Sequence, residues 1–160
     1  MYKTLVAYFS ASGETARLAK TVAEATGGML HEIQPKQPYT QADLNWNNKN
    51  SRSSVEMNDP TSRPEIANHI ENMERFDTVF VGFPIWWYVA PTIISTFLES
   101  YDFSGKTVIP FATSGGSGMG KTDSILHKCC SSKTIWKPGK RMNSHESYAA
   151  VQSWIDSLKL

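Results

Sequence analysis

Cysteine and net charge are what this 160-residue chain has least of: two cysteines, and 16 Lys and Arg set against 15 Asp and Glu for a net charge of +1. The cysteines, Cys129 and Cys130, are adjacent. A disulfide between chain neighbours is strained and one pair offers no metal-site spacing, so both are read as buried or half-buried thiols on a helix. The near-neutral balance gives no strong field for nucleic acid or an anionic membrane, and no basic cluster is present. No apolar run approaches the length of a membrane-spanning helix. Lys3 is the only early charge and a strand-like run begins at once, unlike a signal peptide. The expectation is a cytoplasmic protein with no nucleic-acid partner and no membrane insertion. The four histidines, His31, His69, His127 and His145, are scattered and read as structural or solvated. Neither a nucleophile triad nor a carboxylate pair, metal cluster or internal repeat stands out.

What the chain does have is apolar sequence, 40% of its residues, enough for one core in a single domain spanning 1–160. Three segments read as buried strands: Thr4 to Phe9, Thr78 to Phe83 and Thr107 to Ala112. They are short, β-branched or aromatic, and almost continuously apolar, as a sheet covered on both faces requires. Met29 to Ile33 and Thr134 to Trp136 are weaker candidates. Helical spacing runs over Thr15 to Thr26, Arg63 to Phe76, Pro91 to Tyr101 and Thr122 to Ser131. A last helix, Ser144 to Leu158, is opened by Asn143 with Glu146 three residues on, a capping-box spacing. Gln34 to Ser62 is polar, rich in Asn, and lacks periodicity, so it is expected to be a long functional loop. Strands alternating with helices place the chain in the α/β class, with a parallel sheet and right-handed crossovers.

In an open parallel sheet, ligands sit at the carboxyl ends of the strands. After the first strand comes SASGET, Ser10 to Thr15. Backbone N–H groups at a helix start favour an oxyanion, small residues admit its close approach, and the hydroxyls of Ser10, Ser12 and Thr15 can donate. No lysine or arginine lies in that run, so the donors would be neutral. Alone, it also fits an ordinary cap, with Ser12 closing the helix and Thr15 facing solvent. After the second strand comes PIWWYVAP, with Trp86, Trp87 and Tyr88 in succession. Three large rings in one loop cannot all enter a core, and an exposed one suits stacking on a flat conjugated ring.

After the third strand, GGSGMGKT from Gly115 to Thr122 matches the phosphate loop of nucleoside triphosphatases. Such enzymes also need an aspartate at the end of a neighbouring strand to position magnesium. Neither of the other strong strands ends in one, and Asp77 precedes its strand. The P-loop reading is therefore a remote alternative. Dinucleotide binding fits no better, because the second strand runs into Gln34-Pro35-Lys36 without an acidic residue for a ribose.

Together the three loops resemble those of the flavodoxin family. Ser10, Ser12, Gly13 and Thr15 follow its phosphate-binding pattern, with Ser12 where the family has threonine. VFVGFPIWWYVAP and FLESYDFSGKTVIPFATSGGSGMG are similar to a bacterial flavodoxin-like subgroup, and the short segment after Trp136 matches the short-chain type. The resemblance implies a three-layer α/β/α sandwich with a five-stranded parallel sheet in the order 2-1-3-4-5. It implies FMN as the cofactor, with the phosphate at Ser10, Ala11, Ser12, Gly13, Glu14 and Thr15. The flavin ring would lie between Pro84, Ile85, Trp86, Trp87 and Tyr88 on one side and Thr113, Ser114, Gly115, Gly116, Ser117 and Gly118 on the other. The implied function is electron transfer through a non-covalent flavin, to a redox partner protein or a small-molecule acceptor. The alternative is an FMN-dependent NAD(P)H:quinone-type reductase, with the flavin rather than a side chain as the reactive group. Unlike the strongly acidic flavodoxin carriers, this chain is near neutral, which tilts the balance towards the reductase.

Overall fold

The computed structural model describes residues 3–114 and 118–160. Its central strands are β1 (Thr4–Tyr8), β3 (Thr78–Pro84) and β4 (Thr107–Thr113), with β2 (Met29–Glu32) outside β1. All pairings in the sheet are parallel, in the order β2-β1-β3-β4-β5, with β5 at Ile135–Trp136. Alternate side chains enter two cores. Leu5, Ala7, Val79, Val81, Val108 and Ala112 face α3 (Thr92–Glu99) through Ile93, Ile94, Phe97 and Leu98. Val6, Tyr8, Phe80, Ile109 and Phe111 face α1 (Glu14–Thr26) and α5 (Tyr148–Ser157) through Leu18, Val22, Val151 and Trp154. Two-sided burial accounts for the continuously apolar strands and makes the architecture the expected three-layer α/β/α sandwich.

The fifth strand arrives in two pieces, β5 (Ile135–Trp136) beside Thr107 and Val108, and β6 (Lys140–Arg141) beside Phe111 and Ala112. Its break has a chemical cause. The carbonyls of Lys106, Val108 and Ala112 accept from Ile135, Lys137 and Met142, so this set of β4 residues faces the fifth strand. Pro110 belongs to the same alternating set and has no N–H to give, which interrupts the ladder there.

Helix expectations hold in part. Helix α4 (Thr122–His127) follows β4 but stops before Cys129 and Cys130, which are free thiols beyond its end. Helix α5 starts at Tyr148, not Ser144, because Ser147 is its cap and accepts from Ala150 N–H at 3.1 Å. Asn143 instead belongs to the preceding turn, where its Oδ1 accepts from His145 N–H.

Two expectations are overturned. Arg63 to Phe76 is not a helix: only a single 3-10 turn forms, Met73–Arg75. The backbone there is committed elsewhere, with Lys36 N–H donating to Glu65 O, Ala67 N–H to Gln34 O, and an isolated bridge between Pro35 and Ile66. Its apolar residues Ile70 and Met73 are buried all the same. Gln34 to Ser62, expected to lack regular structure, contains α2 (Arg52–Met57), capped by Ser51. Three serines, the cap Ser51 with Ser53 and Ser54 inside the helix, hid it from any apolar periodicity.

Inside the sheet, Gly82 and Phe111 are register partners. A Cβ at Gly82 would sit 2.3 Å from the Phe111 ring. Gly82→Ala is expected to cost about 1–3 kcal/mol by overpacking. In urea unfolding, Gly82→Ala with Phe111→Leu should be more stable than Gly82→Ala alone; no recovery would place the strain elsewhere.

Candidate functional site

Because β1, β3 and β4 are neighbours and all parallel, the segments that follow them leave the sheet side by side. Phe9 N–H donates to Gly82 O at 2.9 Å and Ile85 N–H to Thr113 O at 2.8 Å, so the ladder continues to the last residue of each strand. A buried hydroxyl pair, Thr15 Oγ1 and Thr113 Oγ1 at 2.8 Å, then ties the first loop to the third. Thr15 is 1% exposed, which excludes the solvent-facing position of an ordinary cap. In such a pair one O–H is spent and the other remains available to donate.

The first loop is built around Ser10. Its Oγ accepts from Gly13 N–H at 3.1 Å and Ala16 N–H at 3.2 Å, work that a simple capping reading gives to Ser12. Gly13 is the residue before α1 and takes φ 90, a conformation that glycine adopts without strain. Two of the helix's four initial N–H groups are thereby satisfied. Among the described residues, the N–H groups of Ser12, Glu14 and Thr15 have no acceptor. They sit at the positive end of a 13-residue helix. Donors left open by the fold at such a position are the chemistry of an oxyanion site.

The second loop is a tight turn. Trp86 and Val89 exchange both backbone hydrogen bonds, at 2.9 and 3.1 Å, and Trp87 and Tyr88 between them have φ 48 and 67. Two consecutive positive φ values match the two-residue turn that Asn-Gly normally supplies. Bulky aromatics in that conformation carry strain, and such strain concentrates at functional sites. The turn sorts the three rings. Trp86 is half-buried, edge-on to Phe9 at 5.7 Å and to Tyr39 at 5.6 Å. Trp87 and Tyr88 are outside, 45% and 67% exposed. Pro84 ends β3 and Ile85 packs partly into the core.

The third loop holds the second in place. Thr122 Oγ1 donates to Tyr88 O at 3.4 Å, and a Cβ at Gly120 would lie 2.7 Å from the same carbonyl. Thr122 is the residue that would meet magnesium in a P-loop, and its hydroxyl is turned to this carbonyl instead. Thr113 is 3% exposed, and Ser114 Oγ accepts from Arg141 Nε at 3.0 Å. Gly118 is exposed. Gly115, Gly116 and Ser117, expected in the same site, lie outside the described residues.

Several neighbours of these loops escape sequence reasoning. Arg17 stands one helical turn beyond Gly13, and its guanidinium donates to the His145 ring. Arg141 arrives with β6. Neither comes from the SASGET run, so neutrality of that run did not mean neutrality of its surroundings. The segment after β2 contributes Tyr39, whose ring meets Phe9 and Trp86 and lies under the Arg52 guanidinium at 3.8 Å. Its hydroxyl donates to Glu56 at 2.5 Å; burial, and then this carboxylate, push the phenol well above its ordinary pKa. A cavity of about 510 Å³ opens between this segment and the start of the first loop, lined by Phe9, Ser10, Ala11, Gln34 and Tyr39 among others. No described helix is long and apolar enough to cross a membrane, and no group of described His, Cys, Asp and Glu residues is arranged for a metal.

The hydroxyl pair gives a direct test of the loop linkage. Thr15→Val or Thr113→Val each strands a buried hydroxyl and should cost about 1–3 kcal/mol of stability in denaturant unfolding. The double variant should cost clearly less than the sum, because no unpaired group remains. Strict additivity would mean that the two hydroxyls do not depend on each other.

The sequence matches the flavodoxin family over residues 3–158. The structure is similar to that of a candidate flavoprotein from Bacteroides eggerthii DSM 20697, at 51% identity and a TM-score of 0.93, covering 100% of this chain and 99% of that one. A second, from Bacteroides uniformis ATCC 8492, is 52% identical with a TM-score of 0.91 over 97% of this chain and 98% of that one. The fold is also similar to a flavoprotein from Lactobacillus acidophilus NCFM in complex with FMN, at 22% identity and a TM-score of 0.72 over 100% of both chains. No protein of curated function matches the sequence. The match over nearly its whole length, on a 2-1-3-4-5 parallel sheet, shows that this chain belongs to the flavodoxin family.

Proposed function

We propose that the chain binds FMN without a covalent link at the ends of β1, β3 and β4, and works as a redox protein. The observation that carries this reading is the open set of donors at Ser12, Glu14 and Thr15, beside the exposed rings of Trp87 and Tyr88. One end of the arrangement suits a phosphate and the other a flat conjugated ring. Bound FMN would supply reversible one- and two-electron chemistry, for which the protein provides position and electrostatics.

The chain's own residues have separable duties. Ser10 holds the first loop in shape through Gly13 and Ala16 N–H, leaving its own O–H to donate. The N–H groups of Ser12, Glu14 and Thr15 and the Ser12 hydroxyl would hold the phosphate. Trp87 and Tyr88, with Thr113, Ser114 and Gly118 from the third loop, would hold the flavin ring. Trp86, Phe9 and Tyr39 form the aromatic wall that positions the turn.

The acceptor of the flavin's electrons would be either a redox partner protein or a small molecule. The second reading, an FMN-dependent NAD(P)H:quinone-type reductase, is favoured by the 510 Å³ cavity, which shares Ser10 and Ala11 with the first loop. The visible spectrum of the FMN-loaded protein separates the two. Bleaching by reduced nicotinamide cofactor alone identifies a reductase, and bleaching only with a partner reductase identifies a carrier. Ser12→Ala is expected to weaken FMN about tenfold or more while leaving riboflavin little changed, because it removes a hydrogen bond to a charged group. Trp87→Ala should weaken both ligands. Equal losses of FMN and riboflavin in Ser12→Ala would put the phosphate elsewhere.

A further inference from the structure

Beside the first loop, between the start of α1 and the turn that leads into α5, lie two adjoining cavities of about 400 and 240 Å³. They share Glu14, Ser144 and His145; the first adds Ser12, Gly13 and Arg17, the second Arg141. Ordinary surface arginines pair with carboxylates or extend into water. Here the Arg17 guanidinium is docked on the His145 imidazole, contacting both ring nitrogens, with Nε2 at 3.3 Å. Arg141 is held by the Ser114 hydroxyl at 3.0 Å. Among the described residues, the ion pairs are Lys36–Glu65, Arg52–Glu56 and Arg63–Glu99, and neither Arg17 nor Arg141 takes part in one.

We propose that Arg17, Arg141 and His145 form a phosphate-binding subsite on the α5 side of the Ser10–Thr15 loop. A guanidinium carries five N–H donors and no acceptor, and Arg17 directs one nitrogen to His145. The rest of its fork matches two oxygens of a phosphate, a geometry that a lysine does not offer. Ser144 lines both cavities and can add a hydroxyl donor. Of the charged side chains lining the two cavities, Arg17 and Arg141 are cations and Glu14 a carboxylate, while the Glu146 carboxylate next to them is engaged by Asn143 N–H at 3.4 Å. The neighbouring Ser12 and Gly13 belong to the loop with open N–H donors, which makes the subsite continuous with that loop rather than a separate surface patch.

The phosphate has two possible sources. It is either the phosphate of FMN itself, in which case the subsite rests on the FMN reading, or a phosphate carried by a second molecule alongside. Calorimetric titration with inorganic phosphate at constant ionic strength, on the FMN-free and FMN-loaded chain, distinguishes them. Saturable binding is expected, weakened tenfold or more in Arg17→Ala and in Arg141→Ala and incompletely restored by Arg17→Lys. If FMN abolishes phosphate binding, and Arg17→Ala weakens FMN tenfold while sparing riboflavin, the subsite takes FMN's own phosphate. Phosphate binding that persists in the FMN-loaded protein and is lost in Arg17→Ala assigns the subsite to a second ligand. The proposal is overturned if phosphate binding is absent, or if neither arginine variant changes it and the FMN-to-riboflavin ratio stays fixed. Failure of the wild-type chain to take up either flavin would sink the FMN reading instead, and phosphate binding would still decide the subsite.

Discussion

Everything at the strand ends depends on the parallel pairing of β1, β3 and β4. Tyr8 lies beside Gly82 and Gly82 beside Phe111, so the three chains leave the sheet at one level. Only then can Ile85 reach Thr113 with its N–H, and Thr15 reach the same residue with its hydroxyl. Gly82 makes this possible in a direct way, since the Phe111 ring occupies the space where any side chain would be. Two-sided burial keeps the strands in register, because a slip of one residue would exchange the two cores.

On that platform the three loops are shaped by different forces. The first is shaped by hydrogen bonding, with Ser10 satisfying two N–H groups and leaving three others open. The second is shaped by strain, with Trp87 and Tyr88 in a turn that favours glycine. The Thr122 hydroxyl donates to the Tyr88 carbonyl, and the missing side chain of Gly120 leaves that carbonyl its room. The positive charge near the first loop comes from elsewhere in the sequence: Arg17 from the second turn of α1, Arg141 from β6 and His145 from the turn before α5.

How much of this was legible beforehand follows from range. The strong strands, the sheet order and the three loops were readable because local apolar runs and family-like motifs carry them. Ser10, Ser12, Thr15, Trp87 and Thr113, read from the sequence as residues of one cofactor site, lie at or just beyond the ends of the adjacent strands β1, β3 and β4, though their contacts were not legible. Thr15 turned inward because its partner, Thr113, lies 98 residues away. The apolar spacing of Arg63 to Phe76 imitated a helix, whereas backbone bonds to residues 34–36 claimed the segment. Helix α2 was hidden by its serines, and the split fifth strand by the need to know which side of β4 Pro110 faces. Arg17 escaped notice because its partner, His145, lies 128 residues away.

The central claim is that the three strand ends form one FMN site. It is tested most directly by amide chemical-shift mapping of the isotopically labelled chain during titration with FMN. The account predicts that the largest changes fall together on residues 10–15, on Trp87 and Tyr88, and on Thr113, Ser114 and Gly118, saturating with a single affinity. Changes centred instead on Lys121 and Thr122, or scattered without saturation, would contradict it.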